Sequence, residues 1–143
     1  MKSLSVKLGV ILVFIGLTIF GYAEVWGADW KLFAETDSYE CFYDAEDTAP
    51  SSNNIVDVWT KLEYTKKGIN GIVNKFGKHY ADLCYSLELW EINCGEKKER
   101  ILSITEYSAE GKILYASSAE GRPTWKIIPR QSVDESLYKA VCK

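Results

Sequence analysis

Ile55-Val56-Asp57-Val58-Trp59-Thr60-Lys61-Leu62-Glu63-Tyr64 is the stretch on which the fold turns. Val56, Val58, Thr60, Leu62 and Tyr64 fall on one side of a period-two pattern, and Asp57, Trp59, Lys61 and Glu63 on the other. The alternation specifies an extended strand, because successive side chains of a strand point to opposite faces. Upstream, Trp30 to Ala34 and Tyr39 to Asp44 read as two short strands, and the polar run Glu35-Thr36-Asp37-Ser38 turns them into a hairpin. Residues 46–54 hold Pro50, Ser51, Ser52, Asn53 and Asn54, the chemistry of a loop.

Downstream, Gly68, Gly71 and Gly77 interrupt any helical period between Thr65 and Leu83. Ile72, Val73 and Phe76 make at most one apolar turn there, so the segment reads as a long basic loop. Tyr85 to Cys94, a turn at residues 95–98 and Arg100 to Tyr107 form an antiparallel pair. Lys112 to Ala116 follows a turn at Glu110-Gly111, and Thr124 to Ile128 is a short last strand stopped by Pro129. The one clear helix comes last. Ser132 and Glu135 fit a capping box, in which each side chain takes the other residue's backbone N–H. Val133, Leu137 and Val141 then repeat at helical spacing and give a narrow apolar stripe for docking on a sheet. The class is therefore α+β and mostly β: an antiparallel sheet of about six strands with one C-terminal helix packed on it.

The chain has 143 residues, 47% hydrophobic and 26% charged, which excludes a polar disordered tail and a multi-pass membrane protein. Lys2 and Lys7 precede an uncharged run of thirteen residues, Leu8 to Phe20, and the small-residue stretch Gly21-Tyr22-Ala23. That is the layout of a secretory signal. At 1.5 Å per residue the run spans about 20 Å, short of the roughly 30 Å of a bilayer core. Residues 1–23 thus read as a cleaved leader and 24–143 as one domain that does not span a membrane. The first cysteine is Cys41, so no acylation site sits at the cleavage point and a lipoprotein is not expected. Losing Lys2 and Lys7 takes the net charge from −3 to −5, which disfavours nucleic acid as a partner.

Cys41, Cys84, Cys94 and Cys142 all lie beyond the leader, and an even count in an exported small domain reads as two disulfides. Cys84 and Cys94 bound one extended segment, about 33 Å apart at strand rise, whereas a disulfide needs about 6 Å. That leaves two of the three pairings open. No cysteines show zinc-knuckle spacing, His79 is the single histidine, and no Cys-x-x-Cys-His occurs, so neither a metal nor a cofactor is expected.

His79 lies outside any nucleophile-elbow pattern. Asp44, Glu46 and Asp47 adjoin the loop, without the spacing or central glycine of a calcium-binding EF-hand. They read as a solvated turn. The candidates for binding are Trp59, which shares its strand face with charged residues, and the positive group Lys66, Lys67, Lys75, Lys78 and His79. In an acidic protein such a group attracts an anionic partner, a polysaccharide or an acidic protein patch.

The ordered set Trp30, Tyr43-Asp44, Val58-Trp59-Thr60-Lys61, Tyr64, Glu91-Ile92-Asn93-Cys94, Tyr107-Ser108, Gly111, Trp125-Lys126-Ile127-Ile128-Pro129, Ser132 and Val141-Cys142 resembles the surface-adhesin protein E family of Gram-negative bacteria. The resemblance implies a curved antiparallel sheet with a C-terminal helix tethered across it by a Cys94–Cys142 disulfide. Cys41 and Cys84, additional to the common pattern, are then left to pair with each other. It also implies a non-catalytic adhesin, able to form a homodimer through its sheet. The expected function is therefore an exported binding protein for a macromolecular partner, in the periplasm or at the cell surface. Two alternatives from other classes remain: a small periplasmic hydrolase or lyase using Asp44 to Asp47 with His79, and a structural envelope component that associates with itself through a sheet edge.

Overall fold

The computed structural model describes residues 28–48, 50–51 and 53–143, so the expected leader lies outside the described residues. Its spine is three long antiparallel strands: β4 (Ile55–Tyr64), β5 (Leu83–Asn93) and β6 (Lys98–Ser108). The stretch that opens the sequence reading pairs along almost its whole length, from Ile55 opposite Asn93 to Glu63 opposite Tyr85. A hairpin of β1 (Trp30–Glu35) and β2 (Tyr39–Asp44) joins one side, and β7 (Ile113–Ser118) the other, giving the order β1-β2-β4-β5-β6-β7. Two short strands complete it: β3 (Pro50–Ser51) on β4 and β8 (Lys126–Ile127) on β6. Register shifts in β1, at Leu83/Tyr85 and at Leu89/Trp90 mark bulges, which bend strands and increase their twist.

Helix α1 (Lys66–Phe76) follows β4, and α2 (Val133–Val141) ends the chain. Both lie on the same side of the sheet, where α1 meets Tyr39 and Tyr64, and α2 meets the even-numbered face of β4. Val58, Ile92, Ile128 and Leu137 form the buried centre of the core, with Phe33, Tyr43, Trp90, Tyr138 and Val141 packed around it. The apolar stripe read from the sequence is thus the docking stripe of α2, with Leu137 only 1% exposed. The Cys94–Cys142 disulfide, Cα atoms 5.5 Å apart, ties the end of α2 to the end of β5. In the chain-entropy account, a bridge across 48 residues stabilises by about 4 kcal/mol. Beside it the Tyr138 hydroxyl donates to the Cys94 carbonyl at 3.1 Å.

Four expectations need correction. The segment after Thr65 is a helix and a 3-10 turn (Lys78–Tyr80), not a loop. Thr65 caps α1 by accepting from the Gly68 N–H at 3.1 Å, and Gly68 is there for packing, since a Cβ would stand 2.0 Å from the Ser38 carbonyl oxygen. Cys41 and Cys84 are free thiols. They lie in β2 and β5 with β4 between them, and two strand spacings of about 4.8 Å already exceed the roughly 7 Å a disulfide can bridge. Residues 46–54 include the two-residue strand β3. Finally, the cap of α2 is half of a capping box. The Ser132 hydroxyl does accept from the Glu135 N–H at 3.1 Å. The Glu135 carboxylate, however, accepts from the Gln131 N–H and from Lys97 Nζ at 2.6 Å, because Lys97 at the β5–β6 turn brings a full charge within reach.

Candidate functional site

Alternation along β4 gives the sheet two unlike faces. The even-numbered side chains meet the helices, while Trp59, Lys61 and their neighbours point to a face that carries no helix among the described residues. Register extends that face across the sheet: Lys61 stands opposite Phe42 and Leu87, Trp59 opposite Leu89, Glu63 opposite Tyr85, and Tyr85 opposite Tyr107. Lys61 Nζ lies 5.5 Å from the centres of both the Trp30 and the Phe42 rings and 2.6 Å from a Glu63 carboxylate oxygen. Tyr85 and Tyr107 stack at 4.9 Å with their planes 16° apart. At one end Glu91 and Arg100 form a buried ion pair, with the guanidinium 4.0 Å from the Trp125 ring. Burial and the Glu91 charge raise the Asp57 carboxyl beside this pair. The face therefore combines half-buried aromatic rings, held by cation–π and stacking contacts, with charges of both signs on β4, β5 and β6.

Trp59 sits at the centre of that surface and remains half-buried. The basic group lies elsewhere. Lys66 and Lys67 open α1, Lys75 ends it, and Lys78 and His79 form the 3-10 turn, all at the Tyr64 end of β4 and on the helix-bearing side. Lys67 pairs with Asp37 at 2.9 Å, Lys75 Nζ is 5.1 Å from the Phe76 ring centre, and His79 packs on Tyr80. The structure does not bring Trp59 and the basic residues together. Nor does it bring His79 to the acids. The Asp44 carboxylate is buried and accepts the Asp29 and Glu46 N–H groups at 3.1 Å each. It lies at the opposite end of β2 from the Ser38 corner where α1 packs, five strand steps or roughly 17 Å away.

Sequence reasoning missed a third cluster, on the helix-bearing side. Glu88 on β5, Glu99 on β6 and Asp134 in the first turn of α2 are three carboxyls gathered by pairing and docking. Burial raises Glu88, and the Trp90 Nε1–H donating at 2.9 Å opposes the rise. Glu99 is pushed up to about 8 by burial and by a hydrogen bond shared with Asp134. Its only sequence trace is polar residues at core-facing strand positions. An open cleft of about 230 Å³ adjoins the cluster, lined by Phe33, Tyr39, Thr60, Trp90 and Leu137 together with Glu88 and Asp134.

The family model for surface-adhesin protein E matches residues 30–143, from the first residue of β1 to the C-terminal end. No curated protein and no solved structure matches the chain. A helix-bearing antiparallel sheet closed by the Cys94–Cys142 bridge accords with what the sequence resemblance implied. The chain belongs to the surface-adhesin protein E family.

Proposed function

We propose that this protein is an exported, non-catalytic adhesin that presents the helix-free face of its sheet to a macromolecular partner at the cell surface. Family membership supports the adhesin class and surface location. The observation that carries the choice of face is that Trp30, Phe42, Trp59, Tyr85 and Tyr107, on five neighbouring strands, share one face uncovered by any described helix. Aromatic side chains contribute disproportionately to binding when they are already held in place, because little side-chain freedom is lost on docking. The lysines of α1, on the other side, act at most as an electrostatic guide for an anionic partner. The separation of His79 from Asp44 supports binding over hydrolysis.

The test is saturable binding of the oxidised protein to envelope and extracellular-matrix preparations. Trp59→Ala is expected to weaken binding roughly tenfold or more, the range of an interface anchor. Charge reversal at Lys66 and Lys67 is expected to change mainly the salt dependence. Unchanged affinity in a folded Trp59→Ala protein rejects this face.

A further inference from the structure

The cleft beside α2 has features that the adhesin reading does not use. Glu88 is 8% exposed and Asp134 overlooks the same space, yet none of the residues lining the cleft is basic. Beneath them Thr60, paired across the strands with Glu88, is 1% exposed, and its Oγ1 has no hydrogen-bond partner. A buried hydroxyl without a partner costs free energy that a bound donor recovers. Phe33, Tyr39 and Trp90 supply aromatic walls, and Leu62, Ile101, Val133 and Leu137 aliphatic ones. The Cys41 thiol in the same wall is pushed up to about 12 by burial and so stays neutral.

We propose that the cleft between α2 and the sheet binds a small primary ammonium ion with a short aromatic or aliphatic body. The charge answers Glu88 and Asp134, an N–H gives the Thr60 oxygen a donor, and the body packs on the rings, where a cation is also favoured. A quaternary ammonium has no N–H for Thr60. A calcium ion takes six to eight oxygen ligands, where the cleft offers two carboxyls and the hydroxyls of Tyr39 and Thr60. The volume of about 230 Å³ suits a small amine. The site lies on the opposite side of the sheet from Trp59, so it stands or falls independently of the adhesin surface.

Phenethylammonium chloride is the probe, titrated calorimetrically into the oxidised protein at pH 8, with 2-phenylethanol as its neutral counterpart. Saturable one-to-one binding of the ammonium and none of the alcohol is expected. Thr60→Val and Glu88→Gln should each weaken it roughly tenfold, the effect of losing a hydrogen bond to a charged group. Thr60→Ser, which keeps the oxygen, should retain affinity, as should Trp59→Ala. If Glu88→Gln fails to fold, the Thr60→Val and Thr60→Ser pair decides. Absence of saturation, equal binding of the alcohol, or equal affinity in Thr60→Val and Thr60→Ser overturns the proposal.

Discussion

Two glycines of α1 look alike in sequence and do opposite work. At Gly68 the helix meets the β1–β2 turn so closely that any Cβ would collide with the Ser38 backbone. The Thr65 hydroxyl donates to the Asp37 carbonyl at 2.6 Å and its N–H donates to that of Ser38 at 3.0 Å, so the backbone on both sides is tied down. Gly68→Ala is therefore expected to destabilise by about 1–3 kcal/mol, the usual cost of overpacking. Gly71 has nothing within 4 Å of its Cβ position, and Gly71→Ala should stabilise by about 0.5–1 kcal/mol, because alanine loses less backbone freedom in a helix. Urea midpoints of the two variants should move in opposite directions; a shared direction contradicts this account of the helix. Composition alone could not separate the two residues, since the difference lies in a contact thirty positions away.

The terminal helix shows how much of an element is local. Its start at Ser132 and its apolar stripe are legible, because capping and periodicity act within a few residues, whereas its tether at Cys142 is implied only by the family resemblance. Ser132→Ala removes the acceptor for the Glu135 N–H and the donor to the Pro129 carbonyl, at 3.1 and 2.7 Å. It should cost about 1 kcal/mol, read as a lower urea midpoint with an unchanged slope. The partner of the Glu135 carboxylate was not legible, because Lys97 is remote in sequence and comes close only after β5 and β6 pair. Helix α1 was hidden for a related reason. Its cap lacks the acidic residue of a capping box, and Gly68 serves a neighbour that pattern reading does not see.

For the whole molecule, Glu135 and Glu99 carry large opposite shifts that act on the two sides of the stability maximum, and the raised Asp57, Glu88 and Glu106 carboxyls add to the alkaline side. Lys97 and the Gln131 N–H hold Glu135 down to about 2 against an ordinary 4.5, so its contribution is present above pH 4.5 and lost as pH falls through 2. Burial and Asp134 hold Glu99 up to about 8, so its neutral form favours the folded state and that stability is lost as pH rises from 4.5 through 8. Thermal unfolding temperature should peak near pH 4–5 and decline on both sides. Glu99→Gln is expected to flatten the alkaline limb and Lys97→Met the acid limb; a limb unchanged by its variant refutes the assignment. The sequence by itself determined the strand pattern, the terminal helix, the family likeness and its Cys94–Cys142 tether, because alternation, capping and an ordered motif set are written in neighbouring residues. Only the tertiary structure decided that Cys41 and Cys84 stay apart, that Trp59 and the lysines face opposite sides, and that Glu88 and Glu99 both gather around Asp134. Those outcomes depend on which strands become neighbours and on the side where each helix packs, and both are set by long-range burial that no local spacing encodes.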